Sequence, residues 1–431
     1  MNLSFIGLIL FLPFVYFEPN IFFPILGEMR VAFVISILTL LIAVVSGARP
    51  PKAIQNRLFI LLFIIAIISS LISPLPFGSA TQLNLGYLYK AIALYFLVSM
   101  IIVSKDYLRK FFYVTLGFGF IVSFITLLTV RAGIVGLKGG GLYRMVNYFG
   151  GIGDDPNEFG VLLLALLPLP VALIEKEKSY PQKIFITAIA LVFILCITRT
   201  RSRGAFLGLI IMFSLYLWEK RKNAVAIFII LAIMIFTYFH VHQGYWERIS
   251  TLQSMDTIES EHNAYTRIMQ NQYALELIYL HPITGVGLGN FIQAKIDLLK
   301  LSPEDRYAGY VAHNSYLGIA AETGIFGLLI FSLIIMTSIG YCYSSERYFK
   351  TRSDLLFFYN MSKAIRIGLI GIAVSIFFLS EQYNQILYQW IAFAVILKSL
   401  ADKEKTVELP ILNHKKDLNI QAKKPIQPLF Q

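Results

Sequence analysis

Long apolar runs recur from one end of the chain to the other, and they restrict it to helices that cross a membrane. A transmembrane helix needs about 20 mostly apolar residues, within a range of about 17 to 25. Runs of this kind cover 3–17, 30–46, 57–74, 85–103, 109–130, 159–174, 182–198, 203–218, 223–240, 313–342, 364–379 and 384–400. They predict an all-α polytopic membrane protein with about 12 transmembrane helices, the first short and retained rather than cleaved as a signal peptide. Composition agrees: 57% of the 431 residues are hydrophobic and 14% are charged, against about a quarter charged in soluble domains.

The formal net charge of +12 reads as topology rather than as a nucleic-acid surface, because the basic residues alternate from loop to loop. They gather after every second span, at Arg49, Lys52 and Arg57; Lys105, Arg109 and Lys110; Lys176, Lys178 and Lys183; Lys220, Arg221 and Lys222; and Arg347, Lys350, Arg352, Lys363 and Arg366. Positive residues stay cytoplasmic, which puts both termini inside and the segments 131–158 and 241–312 outside. The organisation expected is N-terminal membrane helices over 1–130 and a catalytic membrane domain over 131–400 with the outer loop 241–312. A polar, disordered tail is expected over 401–431. Cys196 and Cys342 both fall in apolar runs and form no disulfide framework or metal spacing.

Against this alternation stands Arg199-Thr200-Arg201-Ser202-Arg203, a cationic link on an outer loop. Arginines beside hydrocarbon are costly to place there unless something anionic offsets them. In a continuous helix Arg199 and Arg203 share a face; in an extended link all three alternate to one side. Either way at least two guanidinium forks converge, which suits a diphosphate. Lys90, near the outer end of its span, either joins that anion site or snorkels to the interface. Asp154-Asp155-Pro156-Asn157-Glu158 caps a helix at the same face; its carboxylates could also neutralise an arginine, bind hydroxyls or hold a divalent metal.

In the outer loop, Arg267 lies on a helical pattern with Ile268, Asn271, Ala274, Leu275 and Ile278. Pro282 ends it, and Gly285, Gly287 and Gly289 follow in a turn that is only weakly phosphate-like. His313-Asn314 opens the next span, with Ala320, Gly324 and Gly327 close to the His313 face of that helix. Histidine is the side chain best suited to accept a proton near neutral pH.

These residues resemble the O-antigen ligase and polysaccharide polymerase family of bacterial membrane glycosyltransferases. Arg203-Gly204-Ala205-Phe206-Leu207 matches the family's arginine, three residues, leucine pattern. Arg267 with Pro282-Ile283-Thr284-Gly285-Val286-Gly287 is similar to its outer-loop arginine helix and glycine turn. His313-Asn314 with Gly324 and Gly327 is similar to its histidine–glycine signature, although Leu328 stands where ligases often have a small polar residue.

The resemblance implies a GT-C-like enzyme at the periplasmic face of the inner membrane. It would move a glycan from undecaprenyl diphosphate to a lipid A core or glycan acceptor, with no cofactor and no metal. Catalytic roles are implied for Arg203, Arg267 and His313; substrate-binding roles are expected for Arg199, Arg201, Lys90, Asp155, Asn157 and Asn314. Polymerase, exopolysaccharide synthesis or protein O-glycosylation are alternatives within the enzyme class. A lipid-linked glycan transporter would instead carry its charges near mid-membrane.

Overall fold

The structure, a computed structural model, describes residues 2–131, 144–150, 153, 155–175, 177, 179–221 and 258–422. The expected span 223–240, residues 132–143, 151, 152, 154 and 241–257 of the outer segments, and 423–431 of the tail lie outside the described residues. Those described form α-helices and no strand. In order they are α1 Leu3–Tyr16, α2 Pro19–Phe22, α3 Pro24–Glu28, α4 Val31–Val45, α5 Ile54–Leu71, α6 Ser79–Ile101, α7 Lys105–Arg131, α8 Pro156–Leu166, α9 Pro168–Ile174, α10 Tyr180–Thr200, α11 Arg203–Lys220, α12 Ile258–Leu280, α13 Phe291–Asp297, α14 Ser315–Phe349, α15 Leu356–Ser375 and α16 Gln385–Ala422.

Among the described residues, seven helical stretches are long and apolar enough to cross a bilayer: α5, α6, α7, α8 with α9, α10, α14, and α15 with its flanking turns. The expected spans 3–17 and 30–46 form helices of 14 and 15 residues. At 1.5 Å per residue these fall short of about 30 Å of hydrocarbon. Both sit among chain breaks: Pro19 and Pro24 open α2 and α3, and Arg30 takes a left-handed φ of 49° just before α4.

Helix α14 is the axis of the bundle, packing against α15, α5, α16 and α12, while α15 packs in turn on α11, α9 and α8. Polar side chains tie the apolar helices together where no water can serve them. Tyr16 Oη donates to Gln389 Oε1 at 3.1 Å, and Gln389 Nε2 donates to Thr115 Oγ1 at 3.1 Å.

One end of the bundle is held by charge. Lys363, 4% exposed at its side chain, lies 3.3 Å from Glu175 and 3.5 Å from Glu219, and Arg366 pairs with Glu219 and, at 2.8 Å, with Glu346. These two cations, counted above as loop charges, are therefore inside α15. They join the ends of α9, α11 and α14 that the alternation of basic residues assigns to one side.

At the same end α16 continues to Ala422, and 423–431 of the expected tail lie outside the described residues. Its first turns beyond the apolar stretch are fixed by Lys398–Asp402 at 2.5 Å, by Lys105–Glu404 at 2.7 Å and by Lys405 over the Tyr348 ring. An i,i+4 pair and a cross-helix tether favour helix where composition alone favours coil.

Candidate active site

The arginine link is neither continuous helix nor extended strand. Helix α10 ends at Thr200, and Arg201 turns back at φ 51° with its N–H donating to Thr198 O. Ser202 then caps α11, its Oγ accepting from the Ala205 N–H at 3.4 Å. The turn leaves Arg199 exposed, Arg201 buried at 7% exposure and Arg203 at the first position of α11. Neither the shared helix face nor the alternation expected for three forks survives in it. Gly204 allows α11 to close on α15: a Cβ there would stand 3.0 Å from Ser375 O and 2.8 Å from Leu379 Cγ.

A residue that sequence patterning missed completes the link. Arg144 Nε donates to Thr200 O at 3.1 Å, and its Nη2 donates to Asn157 Oδ1 at 2.9 Å. The Met145 N–H donates to Arg199 O at 3.0 Å. Arg144 thus joins the arginine link to the start of α8, where Asp155 Oδ1 caps the helix by accepting from the Asn157 N–H at 2.7 Å. Nothing about Arg144 is periodic, so only its charge on an outer segment could have marked it.

Chain-distant elements then meet at the corner between α15 and α16, a loop that the basic-residue count passed over. Arg267 Nη1 donates to Phe378 O at 3.0 Å. Ser315 Oγ donates to Leu379 O at 2.7 Å and accepts from the Glu381 N–H at 2.8 Å. With Gly204 against Ser375 and Leu379, this corner brings the starts of α11 and α14 and the helix of Arg267 together.

His313 precedes α14 rather than opening it. It takes a left-handed φ of 51°, and Asn314 Oδ1 caps the helix by accepting from the N–H groups of Tyr316 and Leu317. Burial, then the charge of Arg267, with Lys295 and Arg144 adding to it, pushes the imidazole down to about 4, against an opposing pull from Asp155. It is neutral at neutral pH and able to accept a proton.

The glycine turn has a different task from a phosphate cradle. Inside α14, Gly324 leaves the helix at φ 71° and ψ −176°. The turn docks there: Val286 N–H to Ala321 O at 2.9 Å, Gly287 N–H to Glu322 O at 3.0 Å, and Ile325 N–H to Pro282 O at 2.8 Å. The Glu322 carboxylate accepts the N–H groups of Gly289 and Phe291 and, at 3.1 Å, the Tyr383 hydroxyl. Those N–H groups are committed within the chain. It is a loop, not a neighbouring helix, that approaches Gly324.

Beside the corner opens a cavity of about 1130 Å³. Lys90 and Arg30 lie on its wall with Asp155, Glu158, Glu322 and Glu381. Lys90 is exposed, 5.7 Å from the Tyr87 ring. Burial, reinforced by Glu158, holds the Glu381 carboxyl well above the usual carboxylate range. Among the described residues, no three His, Cys, Asp or Glu side chains are grouped to hold a metal ion.

The site therefore combines a neutral imidazole, guanidinium groups and a cavity rich in oxygen acceptors. The structure brings His313, Arg267, Asp155 and Asn157 together with Arg144 and Lys295, and places Arg203 next to Gly204, which packs on the same corner. It leaves Arg199 on an exposed turn and Lys90 on the cavity wall.

Over residues 187–332 the chain matches the family model described as O-antigen ligase. The comparison with curated proteins gave no match. The matched stretch runs from α10 into α14 and contains Arg203, Arg267 and His313. Over that stretch, about a third of its length, the chain is similar to the O-antigen ligase family. The match supports glycan transfer of that type and, with the apolar helices, a bacterial membrane protein.

Proposed function

We propose that this O-antigen ligase-like protein transfers a glycan from undecaprenyl diphosphate to an acceptor hydroxyl at the periplasmic face of the inner membrane, in a GT-C-like fold with both termini cytoplasmic. The observation that carries the reading is the meeting of Arg267, the start of α11 and the start of α14 at the Phe378–Glu381 corner.

The acceptor oxygen attacks the anomeric carbon from the face opposite the diphosphate. The carbon–oxygen bond to diphosphate breaks with its electron pair going to the leaving group, and the anomeric centre inverts. Arg203 and Arg267, with Arg144, Arg199 and Arg201 nearby in the chain's fold, stabilise the charge growing on the diphosphate. His313 takes the hydroxyl proton. Diphosphate is already a good leaving group, so no covalent enzyme intermediate and no metal are required. Asp155, Asn157, Asn314 and Lys90 are assigned to substrate binding around the cavity.

Ligation to a lipid A core and polymerisation onto a second lipid-linked glycan share this chemistry.

The test is purified protein with a lipid-linked glycan and, separately, a lipid A core or a second glycan, followed by product analysis. No new glycosidic product with either acceptor would refute transfer. In the same assay Arg203→Lys keeps the charge and loses the fork. It is expected to lower transfer by about 10- to 100-fold, the worth of one charge-assisted hydrogen bond at about 1.5–3 kcal/mol. Near-wild-type transfer by that variant would refute bidentate binding.

A further inference from the structure

Lys295 is fully buried, on the short helix α13, outside the groups assigned to the reaction. Its ammonium donates to Gln270 Oε1 at 2.6 Å, Tyr307 O at 2.8 Å and Tyr310 O at 2.7 Å. Those partners come from two segments more than 35 residues apart in the chain. Gln270 stands one turn after Arg267 on α12, and Tyr307 and Tyr310 lead directly into His313. Gln270 Nε2 also donates to Tyr307 O at 2.9 Å, closing the knot.

We infer that Lys295 is a positioning residue, whose charged ammonium fixes the Arg267 helix against the segment that carries His313. The role rests on the glycan-transfer reading only for its effect on rate. The geometry stands by itself.

A buried ammonium is an expensive way to join two segments that apolar packing could also join. What it adds is direction: three N–H donors spent on three fixed acceptors leave the spacing no freedom. The groups facing it are the Tyr273 and Phe291 rings at 5.7 and 5.2 Å, Asp305 and Tyr307 from the preceding segment, and His313. Glu322 on α14 accepts the Phe291 N–H at the start of the same short helix.

Burial lowers Lys295 to about 8, Asp305 opposing it. As pH rises through that value the ammonium becomes an amine with two N–H donors, and one of its three acceptors loses its bond.

The test needs no substrate. Spin labels replace the exposed Tyr279 on α12 and the exposed Val311 beside His313; the two native cysteines are buried. The distance distribution between the labels is expected to be narrow at about pH 7 and to broaden by about pH 9.5. Gln270→Glu, which puts a carboxylate beside the ammonium at the loss of the Nε2 bond to Tyr307 O, is expected to move that broadening upward by about one to three pH units.

In the transfer assay the same knot predicts an alkaline limb of kcat near pH 8. Lys295→Met is expected to remove this limb and to lower kcat by about 10- to 100-fold, with donor KM changing far less. A distribution indifferent to pH, or a limb that ignores Gln270→Glu, overturns the role of Lys295. A protein that shows the broadening but transfers no glycan would instead overturn the proposed reaction and leave the positioning intact.

Discussion

His313→Ala is expected to keep donor binding near the wild-type level and to lower the transfer rate by about 10²- to 10⁴-fold, the usual worth of a positioned general base. The expectation comes from where the imidazole sits. It is half-buried, and that desolvation, followed by the charges of Arg267, Lys295 and Arg144, pushes its proton affinity down to about 4 in the free protein. A base of that strength is reliably neutral at neutral pH but a weak proton acceptor. An arriving diphosphate changes this, since its negative charge offsets the cations and raises the imidazole toward its ordinary value near 6.5.

The two pH profiles should therefore separate. The acid limb of kcat/KM reports the free protein and should lie near pH 4, whereas the acid limb of kcat reports the complex and should lie higher. Stability follows the free-protein value. Between about pH 6.5 and 4 the unfolded chain binds a proton at His313 that the folded chain refuses, so stability falls as pH drops through that window. Equal loss of donor binding and turnover in His313→Ala would make the histidine a binding residue. Coincident acid limbs would remove the proposed coupling to the diphosphate.

How much of this was legible in the sequence depends on whether a residue's partners are near it in the chain. Spans were legible because length and apolarity are local: 57–74 became Ile54–Leu71, and 182–198 became Tyr180–Thr200. Asp155 as a cap was legible for the same reason, since its partner Asn157 is two residues away. Arg203, Arg267 and His313 stood out as charge at an otherwise apolar boundary and by their likeness to a family.

Arg144, Lys295 and Glu381 were missed because their partners, Thr200, Gln270 and Ser315, lie 56, 25 and 66 residues away. Periodicity misled on α12. Of the expected stripe, Ala274 is buried but Ile268 and Leu275 are each 55% exposed, while Thr266, Gln270 and Leu277, outside the stripe, are buried. The inward-facing rule for apolar residues presumes water on the far side. Here the polar Gln270 turns inward because its amide bonds Tyr307 O and the Lys295 ammonium there.

Gly324→Ala is expected to cost about 3 kcal/mol or more in stability, as a sum of a backbone conformation essentially closed to other residues and an overpacked contact. The first part follows from φ 71° and ψ −176°. The second follows from space: a Cβ at Gly324 would stand 2.0 Å from Ile283 O and 3.1 Å from Pro282 O, and neither backbone atom can swing away. Relief requires the glycine turn to lift off α14. That breaks Ile325 N–H to Pro282 O and the two bonds from Val286 and Gly287.

Lifting also strips Glu322 of the Gly289 and Phe291 N–H groups and frees the helix that holds Lys295. The loss should therefore reach the Arg267–His313 spacing as well as the melting temperature. Gly340→Ala, further along α14, is the control. No atom stands within 4 Å of a Cβ there, so Ala should leave stability unchanged or raise it by up to about 1 kcal/mol. Thermal melts of both variants in detergent decide it. If Gly324→Ala melts with Gly340→Ala, the turn is not seated on the break in α14.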